Sequence, residues 1–177
     1  ERIADPAAGA VALDNAIVSL EQKLAVNPAD EQGWVLLGSS YLAVDRPADA
    51  IKAYQRAIEQ SQGRNLAARL GAAEAAITAN PESLSGEAGQ EIEAVLALDP
   101  GNPKALWYGG ILALSRGDTA SARARWEALL GLDPPQEVQQ IIAAQLAQLD
   151  AGRATPQPAD ADPTTATGID IQVSLSD

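Results

Sequence analysis

The chain has 177 residues, 46% hydrophobic but only 3% aromatic, with no Phe, no Cys and no His. Its formal net charge of −12 repels phosphate backbones and argues against a nucleic-acid partner. Without thiols or imidazoles the commonest metal ligands and general bases are missing, so no cofactor and no enzymatic activity are expected. The length fits one domain of moderate size plus a tail. An alanine-rich, phenylalanine-free composition suits thin, close-packed helix pairs better than a broad sheet core. No run approaches the 18 apolar residues that a membrane span needs. The start at Glu1, without a leader pattern or a Met, reads as a processed chain or a fragment.

In chain order, Asp5-Pro6 starts a helix that runs to about Val26, with Leu13, Ala16, Ile17, Leu20 and Leu24 on one stripe. Asp30 then caps a helix carrying Trp34, Leu37, Gly38 and Tyr41 at i, i+3, i+4 and i+7 spacing. Pro47 opens a second helix carrying Ala50, Tyr54 and Ala57. Small residues at Gly38, Ala50 and Ala57 let two antiparallel helices approach, and the large residues fill the gaps beside them. This pattern from Glu31 to Gln62 is that of the tetratricopeptide repeat, a helix-turn-helix unit of about 34 residues.

The prolines give the repeat count. Pro100 to Pro134 spans 34 residues, and Pro28 to Pro100 spans 72, so a middle repeat of 38 with a four-residue insertion is expected. The turn-rich segment from Thr78 to Gly86 is the place for it. Counting forward by the standard period puts Gly71, Ala72 and Ala75 in the first helix of that repeat. Ala88, Ile92 and Val95 belong to its second helix. The last repeat starts at Pro103 behind Asn102, turns at Gly117-Asp118, and carries Leu106, Gly110, Ala122, Trp126 and Leu129. A closing helix follows Asp133-Pro134-Pro135 to about Asp150, with Val138, Ile141, Ile142, Leu146 and Leu149 on one side. The expected architecture is therefore an all-α tetratricopeptide repeat solenoid over 1–150, with three repeats between two capping helices.

Residues 151–168 read as a flexible linker by composition. Residues 169–177 alternate Ile169, Ile171, Val173 and Leu175 with polar residues, a half-buried strand pattern. A lone strand is not stable in water, so this one either docks onto something or opens a further β-containing domain. The C-terminal tail is thus expected to be disordered or extended.

No phosphate loop or nucleophile elbow is present, and the acids sit on helix faces and in turns where solvation and capping account for them. The chemistry expected is binding. Stacked repeats present the second, fifth, ninth and twelfth places of each first helix to a concave groove. Those places are Gln32, Val35, Ser39 and Leu42; then Leu66, Arg69, Ala73 and Ala76; then Lys104, Trp107, Ile111 and Leu114. The lining is mainly apolar, with cations at Arg69 and Lys104, and suits an amphipathic helix with its terminal carboxylate near a base. Trp126 already fills the packing place of the last repeat, so Trp107 either anchors a ligand in the groove or lies under the closing helix.

The runs Leu20–Pro28, Gly33–Leu42, Leu84-Ser-Gly-Glu-Ala88 and Leu98–Trp107 resemble the tetratricopeptide subunit of bacterial cytochrome c maturation, the CcmI or CycH family. The resemblance covers about Val18 to Asp150, and Gly168–Ser176 looks like the opening of that family's C-terminal domain. It implies a periplasmic region attached to the inner membrane only through segments outside these residues. The implied role is an apocytochrome c chaperone that holds the C-terminal helix of its client while other maturation subunits ligate haem. Two other readings stand beside it: a generic repeat scaffold, and a maturation factor for a multihaem nitrite reductase.

Overall fold

A computed structural model describes residues 6–154 of the chain. It consists of α1 (Pro6–Val26), α2 (Glu31–Ala43), α3 (Pro47–Gln60), α4 (Leu66–Ala79), α5 (Glu87–Leu98), α6 (Pro103–Ser115), α7 (Thr119–Leu130) and α8 (Gln136–Ala154). A short 3-10 helix, Pro81–Ser85, lies between α4 and α5. The pairs α2/α3, α4/α5 and α6/α7 are the three repeats, with α1 packed on the first and α8 on the last. The described helices thus form the expected solenoid. The linker expected at 151–168 and the strand expected at 169–177 lie outside the described residues, apart from the last turn of α8.

Helix starts follow local chemistry. Asp30 Oδ1 accepts from the Gly33 N–H at 2.9 Å, Asn65 Oδ1 from Ala68 at 2.8 Å and Asn102 Oδ1 from Ala105 at 3.1 Å. Each side chain satisfies one of the donors that a helix N-terminus leaves free. Asp118 caps α7 in the same way through Ser121, at 3.0 Å, which holds the Asp118 carboxyl below the usual carboxylate range. Pro47 and Pro103 stand in first turns, where a missing N–H costs nothing. The turn inside the first repeat uses Asp45 at φ 56, and Gly117 takes the equivalent left-handed place 72 residues later at φ 76.

The three first-helix caps fix the repeat lengths. From Asp30 to Asn65 is 35 residues and from Asn65 to Asn102 is 37, so the division expected from the prolines is corrected by one residue. The extra residue lies in the α3–α4 turn, where Gln62 (φ 53) and Gly63 (φ 79) are both left-handed. Every place counted into α4 therefore moves forward by one. Ala73, not Ala72, is the counterpart of Gly38 and Gly110. It is fully buried beside Ala88 and Ile92, as Gly110 is buried beside Trp126.

Aromatic wedges hold the stack together. Tyr54 is 4% exposed, and its ring lies against Gly38 in its own repeat and Gly71 in the next. Trp126, 1% exposed, sits over Gly110. Trp34 is half-buried and donates from Nε1 to the Pro28 carbonyl at 2.9 Å. At the ends, Ile17 and Leu24 bury α1 against α2 and α3, and Ile142 buries α8 against the last repeat. Two places on the expected stripes differ. Ala16 stays exposed on α1, and Ile141 is turned outward at 48% exposure.

Candidate ligand groove

One layer is built from the first helices α2, α4 and α6, and α8, the last described helix, stands next in line against α6 and α7. Consecutive first helices are joined by polar contacts. The Asn65 side chain donates to Glu31, linking the N-termini of α2 and α4. Between α4 and α6, Glu74 Oε1 receives Lys104 Nζ at 2.7 Å and the Tyr108 hydroxyl at 3.2 Å. Burial, together with the charge and hydrogen bond of Glu74, pushes the Tyr108 phenol up to about 12.

Between α6 and α8 the layer opens into an apolar hollow of about 320 Å³. Pro103, Lys104, Trp107 and Tyr108 wall it on one side, Val138 and Ile141 on the other, with Leu129, Pro134 and Pro135 closing the end. The outward turn of Ile141 is explained here, since it faces this hollow rather than the core. Trp107 combines the two placements open to it from sequence. It packs partly against the cluster of Trp126, Leu129 and Ile142, and its remaining surface lines the hollow. Its carbonyl accepts from Trp126 Nε1 at 3.4 Å, which ties the two tryptophans to one helix face.

The residues counted into the groove divide into two groups. In α2, Gln32 and Ser39 are exposed, while Val35 and Leu42 are half-buried against the first core. In α6, Lys104 and Leu114 are exposed, and Trp107 and Ile111 are half-buried against the last core. The α4 set is placed differently. Ala73 is fully buried against α5, Ala76 faces a cleft between α3 and α5, and Leu66 packs with Leu70, Val95 and Ala105. Arg69 pairs with Glu91 of α5, donates from Nε to the Gly63 carbonyl at 2.6 Å, and exposes 19% of its side chain. The structure corrects these four. The equivalent places are Ala67, Leu70, Glu74 and Ile77, one residue on, because the α3–α4 turn holds one residue more than the period allows. Glu74 was missed by the period count alone. The Asn65 cap, read with Asp30 and Asn102, carried the signal.

Helical hairpins stacked in two layers, capped at both ends and hollowed on the first-helix layer, define a tetratricopeptide repeat protein. Solved structures with this fold include MamA (TM-score 0.67, 19% identical, covering 86% of this chain and 85% of that one). A tetratricopeptide repeat protein from Parabacteroides merdae also matches (TM-score 0.67, 18% identical, covering 79% and 54%). Residues 5–140 match the family model described as the cytochrome c-type biogenesis protein H TPR domain, and the chain belongs to that family. It is 31% identical to the cytochrome c-type biogenesis protein CycH of Bradyrhizobium diazoefficiens, over 90% of this chain and 42% of the relative. With CycH of Rhizobium meliloti it shares 33% identity, over 88% and 40%. The chain thus spans about two fifths of the length of these relatives. The formate-dependent nitrite reductase complex subunit NrfG of Escherichia coli is 30% identical over 73% of this chain and 68% of its own length.

Proposed function

We propose that this chain is the client-holding module of a cytochrome c maturation protein, gripping the C-terminal helix of an apocytochrome c and presenting it to the subunits that ligate haem. The observation that carries this reading is the apolar hollow walled by Trp107, Val138 and Ile141. An amphipathic helix bound in a groove needs one concave apolar seat for its central side chain, flanked by surface that excludes water. Family membership supports the maturation context, and its relatives, cytochrome c-type biogenesis proteins by name, support a haem-protein client. In this reading the module works at the periplasmic face of the inner membrane, and its groove holds rather than catalyses. Among the described residues no helix is long and apolar enough to cross a membrane.

The test is calorimetric titration with a peptide of an apocytochrome C-terminal helix. Micromolar or tighter binding is expected, with Trp107→Ala weakening it about tenfold or more, as loss of a central aromatic anchor does. Absence of heat, or equal binding of a scrambled helix, refutes the client-holding reading. The NrfG likeness favours a second client, a multihaem nitrite reductase. A peptide from that enzyme binding more tightly than any apocytochrome helix would select it, and a generic scaffold would bind neither.

A further inference from the structure

Resting on the helix-holding reading above, the further question is which kind of helix the groove accepts. The cations that sequence placed in it as carboxylate receptors are already engaged. Arg69 is held by Glu91 and the Gly63 carbonyl, and Lys104 by Glu74. Among the described residues eight Lys and Arg side chains stand in ion pairs, and the whole chain carries a formal net charge of −12. An acidic helix or a terminal carboxylate would meet net repulsion on approach and find both of these cations already paired on arrival.

Glu74 offers the opposite. Its side chain is 26% exposed on the first-helix layer, at the place that Ser39 and Ile111 hold in the neighbouring repeats. Lys104 Nζ and the Tyr108 hydroxyl both fall on Oε1, so among the described residues Oε2 accepts nothing. A carboxylate has room for roughly four donors, which leaves capacity for a ligand. Lys104 and Tyr108 also wall the apolar hollow, so seat and carboxylate share two side chains. Lys104 is 52% exposed on a flexible stem and can leave Glu74 when a second cation arrives, while Tyr108 keeps its bond. We propose that Glu74 is the polar anchor of the groove. Its occupant is an amphipathic helix whose apolar ridge fills the Trp107 hollow and whose lysine or arginine, beside that ridge, pairs with the Glu74 carboxylate.

Two designed helical peptides with the same apolar ridge, one flanked by lysines and one by glutamates, test this by fluorescence anisotropy. The lysine-flanked peptide is expected to bind about tenfold more tightly at low salt, with the gap closing as salt is added. The variants give a sign test. Lys104→Gln leaves Glu74 to the ligand alone and should tighten the lysine-flanked peptide about threefold. Glu74→Gln should weaken it by at least as much while keeping an acceptor for Tyr108. Circular dichroism melts of both variants check that the fold is retained. Equal affinity for the two peptides, or weakening by Lys104→Gln, overturns the assignment and makes Lys104 the receptor of a ligand anion. If neither peptide binds, the helix-holding reading fails and the anchor with it.

Discussion

The wedge of Tyr54 between two repeats is open to a single-methyl test. A Cβ on Gly71 would lie 2.8 Å from Tyr54 Cε2 and closer still to Cε1 and Cζ, well inside van der Waals contact. The ring has no escape on its other side, where a Cβ on Gly38 would also be 2.8 Å away, and Tyr54 is only 4% exposed. Overpacking a closed core costs roughly 1–3 kcal/mol, and this geometry belongs at the upper end. Replacing glycine by alanine inside a helix returns about 1 kcal/mol. The net loss for Gly71→Ala is therefore about 2 kcal/mol, or a fall in Tm of roughly 4–8 °C for a chain of this size. Thermal melting by circular dichroism measures it. In a Tyr54→Leu background the clash is removed, and Gly71→Ala should change sign and stabilise. A Gly71→Ala protein that melts at or above the parent temperature refutes the wedge.

The register of α4 has its own test. Ala73→Gln places an amide in a fully buried site beside Ala88 and Ile92 and should cost roughly 2–4 kcal/mol, whereas Ala67→Gln at an exposed place should stay within about 0.5 kcal/mol. Equal urea midpoints for the two variants would restore the uncorrected register. Alkali gives a second readout, because all three tyrosines of the chain are raised above the ordinary phenol value. Burial leads in each case: Tyr41 and Tyr108 are pushed up to about 12, helped by Glu21 and Glu74, and Tyr54 rises in the same direction. The unfolded chain ionises near 10 while the fold holds the protons, so the contribution of these groups is complete below about pH 10 and is lost as pH rises towards 12. Absorbance titration should show phenolate appearing only with unfolding, and a reversible midpoint near 10 in the folded protein would contradict it.

What the sequence determined by itself is local. The caps at Asp30 and Asn102, the prolines that open α3 and α6, and the pairing of Gly38 with Tyr54 and Gly110 with Trp126 are written in neighbouring residues and fixed spacings. Such features are set within one or two helical turns, or by a period that the stack imposes, and so they survive without coordinates. The middle repeat escaped the count because a period assumes turns of constant length. The left-handed pair Gln62-Gly63 admits one more residue, and a single-residue slip rotates a helix face by about 100°. That rotation moved Ala73 into the core and brought Glu74 to the groove. Only the tertiary structure decided which charges remain available. Arg69 is neutralised by Glu91 on the following helix and Lys104 by Glu74 on the preceding first helix, partners brought together by stacking rather than by order along the chain. The same stacking opened the hollow that Trp107 and Ile141, one 34-residue period apart in the chain, both line; the period relates the two places, and the packing of α8 on the last repeat makes them walls of one hollow.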